Sequence, residues 1–321
     1  MIRPETFFNW RTERTPYPQN LIIDIHSYCN ARCRICPYPQ VKDKIPMGWM
    51  EDDLFRRLIN EFADINAHKP VRGHVIFCNM GEALIDPQVI EKLSYVRKAG
   101  LTMILQTNAA LLTPEKTDRL LDSGFDGPIY ISFHGITKSV YENIMGLPYE
   151  KTLANIHYLT HKYSQVTIRA YAFQWPKGEA YKVRKYWRAQ GVPVAIGIPN
   201  SRANLVAATE GLSLKYPGPW LKGCKKGEPL RDMVISFDGQ AVICCEDMGR
   251  KTSLGNVRDK SLIEVWNGPQ AQEVLDYLYG GGWGKKDGFL CRGCQFGWST
   301  QFRRFMKNLD NEWQRLTKTV F

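Results

Sequence analysis

Nine cysteines occur in this chain of 321 residues, and seven of them fall into two groups whose spacing suits metal chemistry. Cys29, Cys33 and Cys36 are spaced C-x3-C-x2-C in the run CNARCRIC. Three thiolates on one short loop can hold three irons of a [4Fe–4S] cube and leave the fourth iron without a protein ligand. An open iron can take a substrate or cofactor directly, as a catalytic zinc does at its open position. The second group is Cys224, Cys244, Cys291 and Cys294, in a C-x14-G-x4-C pattern through Gly239 followed by C-x2-C. Four such thiolates can enclose a cluster, and they also suit structural zinc; ligand type alone leaves both readings open. An odd total grouped at short spacings argues against a disulfide framework. Cys78 and Cys245 remain, and a buried apolar role is the default for each. Cys245 is also placed to donate a hydrogen atom near a substrate, and it competes with Cys244 as the ligand by one position.

These groups need a frame to position them. The first two thirds of the chain alternate short β-branched runs with segments of helical period. The expected strands are Leu21–His26, His74–Cys78, Met103–Thr107, Ile129–Phe133, Val166–Tyr171 and Val194–Ile198. Helices are expected near 51–67, 87–99, 114–123, 137–145, 150–163 and 179–190. Six strand–helix units predict a parallel sheet with right-handed crossovers, α/β in class, with functional groups at the C-terminal ends of the strands. The first cysteine group follows the first strand directly. Beyond about residue 203 the rhythm changes. Two apolar runs flank Asp238–Gly239, a hairpin signal. Ser261 and Glu264 have capping-box spacing and open a helix expected to run to Tyr279.

A C-x3-C-x2-C loop after the first strand of such a chain resembles the radical S-adenosylmethionine (SAM) superfamily. The resemblance implies that SAM chelates the open iron, is split by one electron, and yields a 5′-deoxyadenosyl radical that abstracts a substrate hydrogen. Asn79–Met80–Gly81–Glu82–Ala83 looks like the family's Gly-Gly-Glu-Pro stretch, which holds the SAM amino group. Gly81 and Glu82 match; Met80 and Ala83 depart from it. The same resemblance assigns Asn108, Ser132 and Arg169, near the ends of the third, fourth and fifth strands, to the SAM ribose and carboxylate, and Ile35 to the adenine. The C-terminal pattern, with Leu254–Gly255–Asn256 and Ser261–Leu262–Ile263–Glu264–Val265–Trp266, is similar to SPASM and twitch extensions. Since no cysteine follows Cys294, the shorter twitch form is implied, with one auxiliary [4Fe–4S] cluster on Cys224, Cys244, Cys291 and Cys294, as in enzymes of the 2-deoxy-scyllo-inosamine dehydrogenase kind.

A fully ligated cluster has no open iron, so its work is electron transfer. The leading expectation is therefore oxidation of a carbon–hydroxyl of a sugar, cyclitol or related molecule, with the auxiliary cluster accepting an electron. His134, by its place at a strand end, is the candidate catalytic histidine, with His26, Glu246 and Asp247 as other bases within reach. The alternatives are a redox-neutral epimerisation with Cys245 as hydrogen donor and a peptide crosslinking reaction.

The expected fold is a partial (β/α)6 TIM-like barrel over residues 21–215, after an extension over 1–20. A hairpin and helix iron–sulfur domain follows over 216–300, then a C-terminal helix over 301–321. Hydrophobic residues make up 44% of the chain, enough for a large core. No apolar run approaches the roughly 18 residues of a membrane span, and the N-terminal run lacks a secretory signal, so a cytoplasmic setting is expected. The formal charge of +11 is scattered, and without a reading motif a nucleic-acid partner is not expected. Trp283, Phe296 and Trp298 beside basic residues could stack on bases, and packing around the second cluster explains them as well. The expected partners are a small-molecule or peptide substrate and a flavodoxin- or ferredoxin-type reductant.

Overall fold

A computed structural model of the chain describes residues 14–67, 73–77, 79–172, 178–197, 202–203, 205–206, 221, 223–279 and 289–297. The expectations for Cys78, Trp283, Trp298 and the 301–321 helix lie outside these residues.

The elements follow the predicted alternation. Strand β1 (Asn20–Ile23) leads through helix α1 (Tyr38–Val41) and α2 (Asp52–Ala67) to β2 (His74–Phe77). Then come α3 (Val89–Lys98), β3 (Thr102–Thr107), α4 (Pro114–Asp122), β4 (Ile129–Ser132), α5 (Lys138–Met145), α6 (Tyr149–Lys162), β5 (Val166–Tyr171), α7 (Glu179–Arg188) and β6 (Val194–Gly197). Local chemistry sets the boundaries. Thr113 caps α4 by accepting the Lys116 N–H, with Pro114 inside the first turn. Gly146 ends α5 in the left-handed conformation at φ 64°.

Strands β1 to β6 pair in sequence order, all parallel. One face of this sheet is apolar and closed: Leu21, Ile23, Val75, Phe77, Leu105 and Ile131 are fully buried. These side chains form one core with Phe55, Phe62, Leu93, Leu120 and Ile156 of the helices. The opposite face carries Gln106, Tyr130, Ser132, Thr167 and Arg169, none of them buried. A parallel sheet with helices on one side and a polar, partly open other side is the partial TIM-like barrel, and the polar face is its lumen.

The hairpin takes a place that the sequence reading did not give it. Strand β7 (Asp232–Ile235) pairs parallel with β1, from Asn20 opposite Asp232 to Ile23 opposite Ile235. Strands β8 (Gln240–Val242) and β9 (Ser253–Asn256) continue antiparallel, giving one nine-stranded sheet in the order β6-β5-β4-β3-β2-β1-β7-β8-β9. The iron–sulfur segment therefore extends the barrel sheet by satisfying the open backbone edge of β1. The helix expected from Ser261 to Tyr279 is two, α8 (Leu262–Trp266) and α9 (Pro269–Tyr279), followed by α10 (Leu290–Gly293). Pro269 brings no N–H and disfavours helical backbone before it, which breaks the run. The capping box of Ser261 and Glu264 forms as expected. No helix among the described residues is long and apolar enough to cross a membrane.

Candidate active site

The loop after β1 carries the first three cysteines, and neighbouring elements hold it by its backbone. The amides of Arg32 and Arg34 donate to the Met145 and Ile144 carbonyls at the end of α5. Gly146 lets the chains meet there, since a Cβ would stand 3.2 Å from the Arg32 Cβ. The Cys29 N–H donates to the Tyr38 hydroxyl at 3.0 Å, and the Cys36 N–H to the Cys33 carbonyl at 3.1 Å. Burial pushes the Cys29 thiol up to about 12, and the neighbouring Glu82 and Cys36 push the same way. Cys33 is raised by burial and then by Cys36 and Cys29, so the three thiols share one small volume. Ile35 lies half-buried on the same loop.

The loops after β2 and β3 lock onto this one. The Glu82 N–H donates to the Tyr28 carbonyl at 2.9 Å, and a Cβ on Gly81 would come within 2.9 Å of the same oxygen. Only glycine permits that approach. The Glu82 carboxylate is buried and accepts from the Thr107 hydroxyl at 2.6 Å, the Asn108 N–H at 2.7 Å and the Leu84 N–H at 3.3 Å. Burial raises its pKa, and the Asn108, Thr107 and Leu84 bonds oppose the rise. The Asn108 side chain donates to Asn30 of the cysteine loop at 2.8 Å. Sequence reasoning missed Asp24. Its buried carboxylate accepts the N–H groups of Asn79 and Met80 at 2.7 and 2.8 Å, fixing the stretch that leads into Gly81. Burial raises it to about 6 against those two bonds. An acid interrupting the apolar run Leu21–Ile25 was the signal available.

Ser132 and Arg169 pair across β4 and β5 on the lumen face. The Arg169 guanidinium stacks over Tyr130 at 3.9 Å and reaches Gln106 at 3.5 Å. His134 is buried and stacks on Tyr171 with ring centroids 4.9 Å apart. Burial lowers its pKa to about 3, so the ring is neutral near pH 7 and a weak proton acceptor. His26 accepts the Tyr28 N–H at 3.0 Å through Nδ1. Asp247 accepts the Lys251 and Thr252 amides at 2.9 and 2.8 Å and so holds its own loop.

The four C-terminal cysteines also come together. Cys224 forms an isolated bridge with Gly297, and the Lys225 N–H donates to the Phe296 carbonyl at 2.9 Å. Gly297 is needed for this closure, since a Cβ would stand 2.3 Å from the Cys291 carbonyl oxygen. The Cys291 thiol is raised by burial and then by Cys294 and Cys224. Cys244 is raised by burial, then by Cys245 and Cys291. Phe296 lies beneath Lys226 at 4.0 Å. Among the described residues, no three His, Cys, Asp or Glu side chains converge where one metal ion would sit.

Cys244 and Cys245 point to different neighbours. Cys244 belongs to the main core with Cys291 and Cys294. Cys245 packs instead against the cluster of Ile22, Val234 and Val242. Its thiol donates to Glu228 at 3.2 Å. Around it runs a charge network absent from the sequence reading: Lys226 reaches Glu228 at 3.3 Å and Glu246 at 2.8 Å, and Arg202 reaches Glu246 at 3.4 Å. Burial alone would raise Glu246, but Arg202 and Lys226 hold it below the usual carboxylate range. Arg202 feels Tyr171, Cys245 and Cys36 as well, so groups of the lumen wall, the hairpin and the first cysteine loop all act on it.

Comparison with known proteins agrees with this arrangement. A model of the radical SAM superfamily matches residues 23–174, and a model of the SPASM iron–sulfur cluster-binding domain matches residues 224–295. The chain carries a radical SAM domain and a SPASM-type domain. Its cofactors are therefore SAM with a [4Fe–4S] cluster, and auxiliary iron–sulfur chemistry in the second domain. The two cysteine sets fit these groups in donor type. An AdoMet-dependent heme synthase of Methanosarcina barkeri is 31% identical over 147 residues, covering 45% of this chain and 40% of that one. The chain thus aligns with less than half the length of that relative. An S-adenosyl-L-methionine-dependent 2-deoxy-scyllo-inosamine dehydrogenase of Niallia circulans is 22% identical over 279 residues, covering 85% of this chain and 90% of that one. The structure of Streptococcus suis SuiB bound to precursor peptide SuiA superimposes with a TM-score of 0.64 at 14% identity, covering 88% of this chain and 71% of that one. That likeness shows the fold.

Proposed function

We propose that this protein is a radical SAM oxidoreductase that oxidises a carbon–hydroxyl of a sugar, cyclitol or related small molecule. The observation that carries this reading is Arg202, which pairs with Glu246 at 3.4 Å, next to Cys245, and also feels Cys36 of the first cysteine set. On this reading one lumen borders both sets, and a substrate held there has a hydrogen-abstracting centre on one side and an electron acceptor on the other. When bound, SAM and its cluster supply the radical, and the second cluster supplies the acceptor. Cys29, Cys33 and Cys36 hold the first cluster; Cys224, Cys244, Cys291 and Cys294 hold the second. Gly81, Glu82, Asn108, Ser132, Arg169 and Ile35 surround SAM. Asp24 and Glu82 serve by fixing the loop backbones. Tyr171 and His134 form a neutral aromatic wall, and Lys226 with Arg202 presents hydrogen-bond donors toward substrate hydroxyls. Coverage of most of the dehydrogenase relative supports the substrate class.

A second reading is a redox-neutral epimerisation. The Cys245 thiol, 3.2 Å from Glu228 and packed on a different apolar cluster from Cys244, Cys291 and Cys294, favours it as hydrogen donor. The likeness to a peptide-bound enzyme keeps a peptide substrate, including crosslinking, as a third. A flavodoxin- or ferredoxin-type protein is the proposed electron source.

The test is anaerobic. Reconstituted protein should hold about eight irons, and a Cys29→Ala/Cys33→Ala/Cys36→Ala variant about four. With SAM, reductant and a panel of cyclitols and amino sugars, the wild type should form 5′-deoxyadenosine and a product lighter by two hydrogens. A product of unchanged mass, with deuterium taken up at carbon from D2O, would replace oxidation by epimerisation. About four irons in wild type and none in the variant would remove the electron-acceptor reading.

A further inference from the structure

Tyr279 closes helix α9, and nothing above uses it. Its hydroxyl is buried; the Cys224 backbone N–H faces its oxygen, and among the described residues its O–H finds no acceptor. A buried O–H without an acceptor is costly, so such a group needs an account. Its ring lies on the backbone just before Cys224. Gly223 there has φ 133°, and a Cβ would come within 2.7 Å of the Tyr279 ring. The residues whose charge the phenol feels are Cys224, Cys291 and Cys244, three of the four cysteines of the second set. The other side of the tyrosine lines a cavity of about 330 Å³ with Arg14, Trp266, Leu230 and Leu275. The hydroxyl oxygen is shut off from solvent there, so cavity water does not satisfy it.

We infer that Tyr279 donates a hydrogen bond to a sulfur of the auxiliary cluster and so sets its reduction potential. This rests on the proposal that Cys224, Cys244, Cys291 and Cys294 hold that cluster. A phenol titrates near 10, so the O–H donor is present at working pH. The sulfurs of a cluster bound by these cysteines are the acceptors that the phenol lacks. Hydrogen bonds to cluster sulfur stabilise the reduced, more negative state and raise the potential. Tyr279 is a positioning residue in this role and does not touch substrate.

The experiment uses the full chain bearing Cys29→Ala/Cys33→Ala/Cys36→Ala, which isolates the auxiliary cluster, with and without Tyr279→Phe. Phenylalanine keeps the ring and removes only the donor. Iron content is measured first, then an EPR-monitored redox titration, then proton ENDOR in H2O and D2O. The expected result is unchanged iron and a reduction equilibrium about tenfold less favourable, about 59 mV for one electron. One exchangeable proton coupling should also vanish. Equal potentials and equal proton couplings at equal iron would overturn the inference, as would loss of iron in the phenylalanine variant, which would make the hydroxyl a support for the loop. A parent protein without iron would instead sink the four-cysteine cluster itself, and the role of Tyr279 with it.

Discussion

At the scale of single residues, the most consequential groups are two buried carboxylates that hold backbone. Glu82 takes hydrogen bonds from Thr107, Asn108 and Leu84. Glu82→Ala strands those donors, so stability should fall by about 2–4 kcal/mol in urea denaturation of the apoprotein. SAM binding, followed by calorimetry, should weaken with it. Asp24 gives a pH signature. Its folded carboxyl keeps a proton up to about 6, against 3.8 for a free aspartate. The native state therefore binds the extra proton between those values. Stability from this group is fullest below the lower value and is lost as pH rises through the higher one. Relative to Asp24→Asn, the wild type should lose stability as pH climbs from about 4 to about 6, read from thermal midpoints. A parallel pH response in both proteins would refute the role of Asp24. The sequence made the cysteines and Glu82 legible because their spacing is itself the signal. It concealed Arg202, Lys226 and Glu228, which are ordinary surface residues by type. Only the fold turns them toward Cys245.

At the scale of elements, the helix after β4 matters for what its end allows. Gly146 caps α5 in the left-handed region and lies against Arg32. Alanine there should cost about 1–2 kcal/mol from backbone strain alone. It should also lower iron uptake at the first cysteine set, because the cysteine loop hangs on the Met145 and Ile144 carbonyls. Full iron loading in Gly146→Ala would show that the loop sets its own shape. The strand and helix expectations in the barrel agree with the structure to within a few residues, because their periodicity is long and their caps are marked. The break between α8 and α9 was missed although Pro269 announced it, since the apolar pattern runs on across the proline. The parallel seam between β1 and β7 was not legible. Nothing local in Asp232–Ile235 records which sheet edge it will meet.

At the scale of the whole molecule, the nine-stranded sheet joins the two cysteine sets through backbone hydrogen bonds. A chain cut before Cys224 would lose β7, β8 and β9 and expose the edge of β1. Such a fragment should aggregate, seen as high-mass material in size-exclusion chromatography, whereas the full chain should remain dispersed. A monodisperse, SAM-binding fragment would mean that the barrel closes without the hairpin.

The same seam bears on the order in which the protein is made. Strand β1 leaves the ribosome well ahead of its β7 partner, which follows more than two hundred residues later. Contacts of such separation form late. The first cysteine loop must therefore wait beside a half-built sheet until the hairpin arrives. Iron delivered during synthesis would meet three exposed thiols on an unfinished scaffold. Cluster assembly in this protein belongs after translation, once the last strands are in place.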